Sequence, residues 1–440
     1  MVALATAVGA SAIGVVRVSG PRAVAIAGTI VRARTGLEKQ PSHTQRHVVI
    51  VDASTGERLD DALCSVMRAP RSYTGEDVVE LSCHGAPALL RGVVERLCAQ
   101  GARLAAPGEF TRRAFLNGRL DLAQAEAVAL LISARTERAV MLAARGVAGE
   151  LGRRLRPLRE RLLDLVAGLE VALDFPEDGV GTEPRAAAAA VRALGDEVAA
   201  LRDGARRGQI VHEGRTVALV GAPNAGKSSL LNALVGRERA IVSPIAGTTR
   251  DVIEATIELG GIPVRLLDTA GIGVPRDDVE AEGIRRSRAA IAESDVLLVV
   301  VDGSRPPARR VLEETANRPR IIVRTKRDLA ADAASARIDG ALDVSAVTGA
   351  GLGGLSESLC RLVATNAEGG SELVASLRQM ETLDALHRAL IGAHCALAEA
   401  PVEVALVDLR EALAHASALI GAEAGDAVLD RIFATFCLGK

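Results

Sequence analysis

The sequence predicts a multidomain α/β chain, in which an α+β N-terminal region and two helical blocks surround a P-loop nucleotide domain with a mostly parallel sheet. Three observations carry that prediction. The apolar run 216–220 leads into GAPNAGKSS (Gly221 to Ser229) and an amphipathic segment from Leu230, which is the strand, glycine turn and helix of a phosphate-binding loop. Continuous apolar runs alternate with helical patterns from 215 to about 364, as a sheet covered on both faces requires. Short alternating strands precede this region, and helices of period 3.6 flank it on both sides.

At 440 residues the chain has room for about two to four domains, and 49% hydrophobic residues let each bury a core. Aromatic residues make up only 1%, so cores are aliphatic and base-stacking platforms for single-stranded nucleic acid have little to be built from. The net charge of −2 and pI near 6.4 leave a nucleic-acid partner to a local patch or another subunit. Cys64, Cys83, Cys98, Cys360, Cys395 and Cys437 show no CxxC spacing, so they read as free thiols of a reducing cytoplasm, with no zinc site. Residues 1–16 are apolar but lack a basic leader, and the alternation around Arg17 fits a strand better than a signal peptide. No apolar run is long enough to cross a bilayer, so a cytoplasmic protein without membrane contact is expected.

The first domain, 1–112, should hold strands at 13–18, 48–52, 62–68 and 78–83 and a helix over 87–100. In the fourth strand Val79, Leu81 and Cys83 share one face, which places Glu80 on the other beside Val78 and Ser82. Glu80 reads either as a site carboxylate or as a solvated strand residue. The helical domain begins at 113 and its first part runs to 214. It has stripes at Leu122, Ala125, Ala129 and Ile132, at Leu158, Leu162, Leu165, Leu169 and Leu173, and at Val191, Leu194, Val198 and Leu201. Pro157 should start or kink the second helix, and 176–184 should be a loop. Arg153, Arg154, Arg156, Arg159 and Arg161, with Arg202, Arg206 and Arg207, read as phosphate contacts or as a solvated helix face.

In the nucleotide domain, 215–364, buried strands are expected at 217–220, 296–301 and 321–323. Segments 253–259 and 262–267, joined by Gly260-Gly261, should form a hairpin. Over 365–440 helices are expected with Leu373, Leu377, Met380 and Leu383 on one face, then Val404, Val407 and Leu413. A final helix carries Leu429, Ile432, Phe433 and Phe436. Because domain termini usually lie close together, 215–364 reads as an insertion into one helical domain made from both flanks.

The nucleotide motifs fall in order. Gly221 and Gly226 let the backbone turn its N–H groups toward phosphate oxygens at a helix N-terminus, with Asn224, Ala225 and Ser229 completing the loop. Lys227 should reach the outer phosphates and Ser228 a magnesium ion. Gly247-Thr248-Thr249-Arg250-Asp251 offers a threonine hydroxyl, Thr249, to the same metal. In Asp268-Thr269-Ala270-Gly271 the carboxylate holds the magnesium shell and the Gly271 N–H senses the γ-phosphate. Thr325-Lys326-Arg327-Asp328 places a carboxylate to accept from guanine N1–H and its exocyclic amine, a donor pair that adenine lacks. Ser345-Ala346-Val347 closes the base pocket. Five elements in register imply a GTPase. Ile272 stands where Ras-like enzymes carry a water-orienting Gln, so another group must orient water. The acidic run 277–280, ending at Glu280, lies close by and reads as that group or as a solvated loop.

Outside these motifs, Arg17-Val18-Ser19-Gly20-Pro21, SYTGEDVVELSCHG (Ser72 to Gly85), PGEFTRRAFLNGRLDLAQAEA (Pro107 to Ala127) and the terminal FCLGK (Phe436 to Lys440) resemble the tRNA wobble-uridine modification GTPases known as the MnmE or TrmE family. The resemblance covers nearly the whole chain. It implies a folate-binding N-terminal domain that forms a homodimer, a discontinuous helical domain and an inserted Ras-like G domain. It implies GTP hydrolysis coupled to addition of an aminomethyl or carboxymethylaminomethyl group at C5 of the wobble uridine of tRNA. The one-carbon unit comes from methylene-tetrahydrofolate. An MnmG-type flavoprotein partner, in a heterotetramer or larger assembly, carries the FAD and uses the NADH. Residue by residue, the resemblance assigns Arg17, Glu80, Arg119 and Lys440 to folate and Asn224, Ser243, Ile245 and Thr248 to a potassium ion. It assigns Ser243, Pro244, Ile245, Ala246, Gly247, Thr248 and Thr249 to the GTP switch, Glu280 to water positioning and Cys437 to the modification site. Cys437 also reads as a small buried core residue.

Three features depart from the family pattern: Ala5 to Ala12 replace a Pro- and Gly-rich opening in a chain that begins several residues short of the usual start, Thr325 replaces Asn, and Arg119 replaces Lys. Dimer contacts, part of the folate pocket and base binding are expected to feel them. The competing class is a non-enzymatic GTPase switch on RNA or a ribosomal particle, which leaves the folate-type blocks without a purpose.

Overall fold

Period-two alternation builds the N-terminal region into a six-stranded antiparallel sheet of β1 (Val2–Leu4), β2 (Ser11–Ser19), β3 (Val31–Arg32), β4 (Thr44–Val51), β5 (Arg58–Met67) and β6 (Val78–Gly85). The spatial order is β1-β2-β6-β5-β4-β3. All four expected strands are present, and the two edge strands are too short to leave a periodic signal. One face buries Val16, Val18, Cys64, Val66, Leu81 and Cys83 against Leu90, Val93 and Leu97 of helix α2 (Pro87–Ala99), and α1 (Ala23–Gly28) adds Val24 and Ala27. The other face carries Arg17 directly opposite Glu80.

The computed structural model describes residues 1–175, 177, 181–241, 254–269, 288–289, 291–306, 309–329, 338–364, 372–422, 425–437 and 439. Two units are resolved, one of 1–129, 147–191 and 388–440 and one of 130–146 and 192–387. The helices are α3 (Glu109–Leu116), α4 (Leu122–Ser133), α5 (Glu137–Val147), α6 (Glu150–Asp174) and α7 (Pro184–Glu213), and in the C-terminal part α11 (Leu377–Glu399), α12 (Val402–Ile420) and α13 (Asp426–Ala434).

In the first unit α6 continues through Pro157 instead of starting there. The apolar stripe Leu151, Leu155, Leu158 and Leu162 is buried along its length, which offsets the roughly 3 kcal/mol that an interior proline costs. Its partner α12 corrects the expected stripe: Val404 and Val407 are exposed, and the buried face is Ala405, Leu406, Leu409, Ala412 and Ala416. Small alanines let the two helices approach. Arg159 Nε then donates to Ser417 Oγ at 2.9 Å and Arg410 pairs with Glu170 at 2.7 Å. A second correction concerns Leu373, which is buried in a non-helical segment; α11 begins only at Leu377.

The last helix docks by its apolar face. Leu429, Phe433 and Phe436 are buried with Leu122 and Ala125, and Phe115 and Ile432 pack alongside. Gly108, at φ +65°, lies so close that a Cβ there would sit 2.7 Å from the Phe433 carbonyl oxygen. A free end usually frays, and this one is pinned by three aromatic rings.

The second unit contains a seven-stranded sheet in the order β13-β12-β11-β7-β10-β9-β8, formed by β7 (Arg215–Gly221), β8 (Arg239–Ala240), β9 (Glu254–Leu259), β10 (Ile262–Asp268), β11 (Val296–Asp302), β12 (Arg320–Thr325) and β13 (Leu342–Asp343). The expected hairpin pairs β9 with β10 antiparallel, and β10, β7, β11, β12 and β13 run parallel. Helices α8 (Lys227–Arg237), α9 (Arg309–Glu314) and α10 (Leu352–Ala364) accompany it. Leu230, Leu231, Leu234, Leu355 and Leu359 cover one face, and Val311 lies in the cluster on the other.

Phe433→Ala should destabilise the first unit by about 3–5 kcal/mol and free the tail. Urea unfolding and protease release of the last residues check this; an unchanged midpoint with a protected tail would remove Phe433 as the anchor.

Candidate functional site

Two sites are built from these elements. In the nucleotide domain, β7 ends where Gly221 passes β11 so closely that a Cβ would lie 2.3 Å from the Val300 carbonyl oxygen. The loop then turns through Asn224 at φ +61° and Gly226 at φ +94° into α8. Lys227 is buried, and its Nζ donates to the carbonyls of Gly221 at 3.3 Å and Ala222 at 3.0 Å. Burial pushes its pKa down, and the nearby Asp268 opposes that. Ser228 Oγ donates to Asp268 Oδ2 at 2.5 Å, so two hard oxygen donors meet at the helix start. The end of β10 is tied down by Thr269, whose hydroxyl donates to the Leu219 carbonyl at 2.7 Å.

The base side is joined to this loop. Thr325 is 2% exposed, and its hydroxyl lies 2.5 Å from the Ala225 carbonyl and 3.2 Å from that of Val301. A hydroxyl has one proton to give, so the Thr325 donor is spent on the phosphate loop. Lys326, at φ +58°, donates to the Asn224 carbonyl at 2.8 Å and to Asp302 at 2.7 Å. Burial raises the Asp302 pKa, but Lys326 and Ser304 outweigh it and hold the carboxylate below its usual range. Ser345 Oγ donates to Asp328 Oδ1 at 2.6 Å, and Ser345 is in turn bonded by the Thr348 N–H at 3.1 Å. Ala346 is half-buried and Val347 exposed. Ser229 is exposed on the first turn of α8, and the exposed Asn224 amide makes no hydrogen bond among the described residues. Ser243, Pro244, Ile245, Ala246, Gly247, Thr248, Thr249, Ala270, Gly271 and Glu280 lie outside the described residues. Asp302 escaped the sequence reading; its signal was an acid closing the apolar strand 296–301.

The second site lies on the open face of the N-terminal sheet. Arg17 Nε donates to Glu80 Oε1 at 2.7 Å, and Nη1 reaches the Gly439 carbonyl at 3.3 Å. Its guanidinium stands 5.9 Å from the Tyr73 ring and 5.5 Å from that of Phe110. Nearby, Arg113 pairs with Glu76 and Glu109, Arg103 with Glu109, and Ser19 with Thr74 and Glu76. Burial works against the Glu109 charge, yet Arg103, the Ala106 N–H and Arg113 hold its pKa at about 2. Because this pKa is depressed, the network's contribution is complete above the ordinary carboxylate range and is lost as pH falls toward about 2.

Arg17, Glu80 and the terminal segment are brought together. Arg119 is not joined to them: it is exposed, and its guanidinium makes no hydrogen bond or ion pair among the described residues. Lys440 lies outside the described residues. Cys437 is exposed, unlike Cys64 and Cys83, whose thiols burial pushes up to about 11 and about 12. Tyr73 and Phe110 were missed, although two of the chain's six aromatic residues beside one arginine were a signal. Among the helix arginines, Arg154 pairs with Glu150, Arg156 with Asp121 and Arg206 with Asp384, which fits a helix-surface role.

Thr325→Val should leave the buried Ala225 carbonyl without its donor, a loss of about 1–3 kcal/mol that weakens GDP binding about 5- to 140-fold. Thr325→Ser should bind like the parent. Titration with a fluorescent GDP measures both, and equal affinities for Val and Ser would remove the strut.

The family model described as the GTP-binding protein TrmE N-terminus matches residues 1–119, and the MnmE helical domain model matches 122–437. A tRNA modification GTPase MnmE from Koribacter versatilis is 42% identical over all of this chain and 99% of its own length. One from Thermus thermophilus is 46% identical over all of this chain and 98% of its own. The solved G domain of the T. maritima FeoB iron transporter is 27% identical over 35% of this chain and 99% of that one, with a TM-score of 0.27. No described helix is long and apolar enough to cross a membrane. With both family models in place along the chain and relatives aligned end to end, the protein belongs to the MnmE family of tRNA modification GTPases.

Proposed function

We propose that the chain hydrolyses GTP to drive addition of an aminomethyl or carboxymethylaminomethyl group to C5 of the wobble uridine of certain tRNAs. It acts as a cytoplasmic homodimer with an MnmG-type FAD-dependent partner. The carbon comes from methylene-tetrahydrofolate held on the N-terminal sheet. The observation that carries this reading is the coexistence, in one chain, of a phosphate loop with Ser228 on Asp268 and a separate Arg17–Glu80 pair closed by Gly439.

The residues present fit the implied groups. Ser228 and Asp268 offer magnesium the oxygen donors it prefers, and the ion when bound neutralises charge developing on the phosphates. Asn224, whose exposed amide makes no hydrogen bond among the described residues, would hold potassium together with Ser243, Ile245 and Thr248. Lys227, already aimed into the loop, binds phosphate oxygens, and Asp328, steadied by Ser345, accepts from guanine. Glu280 orients the attacking water in place of the glutamine that Ile272 replaces. On the sheet, Arg17 and Glu80 offer a cation and a carboxylate to a folate's charged and polar groups, with Tyr73 and Phe110 as apolar walls. Lys440 would add charge from the tail and Arg119, exposed and not joined to the pair, from nearby in the domain, and the exposed Cys437 of the tail would supply a thiol for the modification step.

Mass analysis of nucleosides from tRNA of a deletion strain tests the reading. The carboxymethylaminomethyl nucleoside should vanish and return with the intact gene; an unchanged wobble-uridine profile would favour the RNA-bound switch. Turnover of GTP should be much faster in potassium than in sodium, and Glu280→Ala should lower it by about 10²-fold or more, as loss of a positioned acid–base group does. Equal rates in the two salts would sink the cation site, and an unimpaired Glu280→Ala the water-positioner.

A further inference from the structure

The turn of the β9–β10 hairpin is gripped from outside the nucleotide domain. Thr136, 3% exposed at the start of α5, donates its hydroxyl to the Gly261 carbonyl at 2.8 Å while accepting the Ala139 N–H at 3.2 Å. Arg138 donates through Nη1 to the Gly260 carbonyl at 3.1 Å and through Nη2 to Glu372. Both turn carbonyls are therefore taken by one helix end. The turn fits nothing larger: Gly260 and Gly261 have φ of +60° and +78°, and Cβ atoms there would lie 2.6 Å from Cys360 Sγ and 3.0 Å from Arg138.

The other end of the hairpin is the nucleotide site. The expected switch stretch 243–249 precedes β9, which starts at Glu254, and the second switch follows Asp268–Thr269 at the end of β10. Six paired rungs, Ile262↔Leu259 to Leu267↔Glu254, join the two strands into one plate about 20 Å long. Among the described residues, β9 pairs on its outer side only with the two-residue β8. The plate is thus held by β7 along one edge, by α8 and α10 packed on its face, and by the gripped turn at its far end.

We propose that Thr136 and Arg138 are positioning residues for GTP hydrolysis, fixing through this hairpin the place from which both switch segments depart. The inference rests on the GTP site assigned above. By linkage, a nucleotide that shifts the plate must change the strength of the grip, and the grip must change the nucleotide's equilibrium by the same factor.

The test uses the full-length protein, with Arg138→Ala and Thr136→Val compared with Arg138→Lys and Thr136→Ser. The Ala and Val variants should lose about tenfold in kcat for GTP, less than the roughly 100-fold that a misplacement of about 1 Å can cost, with the GDP Kd within about twofold of the parent. The Ser variant should recover the rate and the Lys variant part of it. A non-hydrolysable GTP analogue should alter hydrogen exchange of the Ala139 amide in the parent and leave it unaltered in Arg138→Ala. A parental kcat in both the Ala and Val variants would overturn the proposal, as would kcat and GDP affinity falling together with the melting temperature. A parent that turns over no GTP would instead defeat the functional reading beneath it.

Discussion

The hydroxyl of Thr325 is the constraint on which the nucleotide domain depends. It joins β12 to the phosphate loop through the Ala225 carbonyl, in a place where neither group can turn to water for another partner. Lys326 reinforces the same junction by holding the Asn224 carbonyl and Asp302 together. The phosphate loop and the strand end that carries the expected base motif are therefore one mechanical piece. The family's usual asparagine brings an amide with several hydrogen-bonding atoms to this position, and threonine keeps the strut with a single donor. What the substitution gives up is reach beyond the strut, toward the base.

Much of this was legible in the chain. The strands of the nucleotide sheet declared themselves because burial on both faces demands unbroken runs such as 296–301, and the hairpin did so through Gly260-Gly261. The edges were not legible: β1, β3 and β8 are two or three residues long and owe their existence to a neighbouring strand's open edge. The error on α12 has a similar origin. Val404 and Val407 are more hydrophobic than Ala405 and Ala412, yet close approach to α6 favours the smaller side chains, which a reading of hydrophobicity alone passes over.

Within the candidate sites, Lys227, Ser228, Asp268 and Asp328 could be proposed from the motif alone, because their residue types suit the expected duty, and the structure sets Ser228 on Asp268 and Ser345 on Asp328. The groups that steady them could not. Asp302 acts through Lys326 and Glu76 through Arg113, partners distant in sequence that the fold brings to them, whereas Glu109 is held by the nearby Arg103 and Arg113. Arg17 belongs to both classes: the resemblance pointed to it, while its aromatic surroundings emerged only from the packing of Tyr73 and Phe110.

The contact between Arg17 and Gly439 spans 422 residues of chain. At synthesis rates of about 5–20 residues per second, roughly 20–80 s separate the making of its two halves. The N-terminal sheet can complete its ladder and bury its core long before then, because all six of its strands lie within the first 85 residues. During that interval the guanidinium already has Glu80 but lacks its backbone partner, and the face around it is open. A newly made domain thus passes through a stage in which it is folded but the surroundings of Arg17 are unfinished, and the tail, pinned by Phe433 and Phe436, completes them.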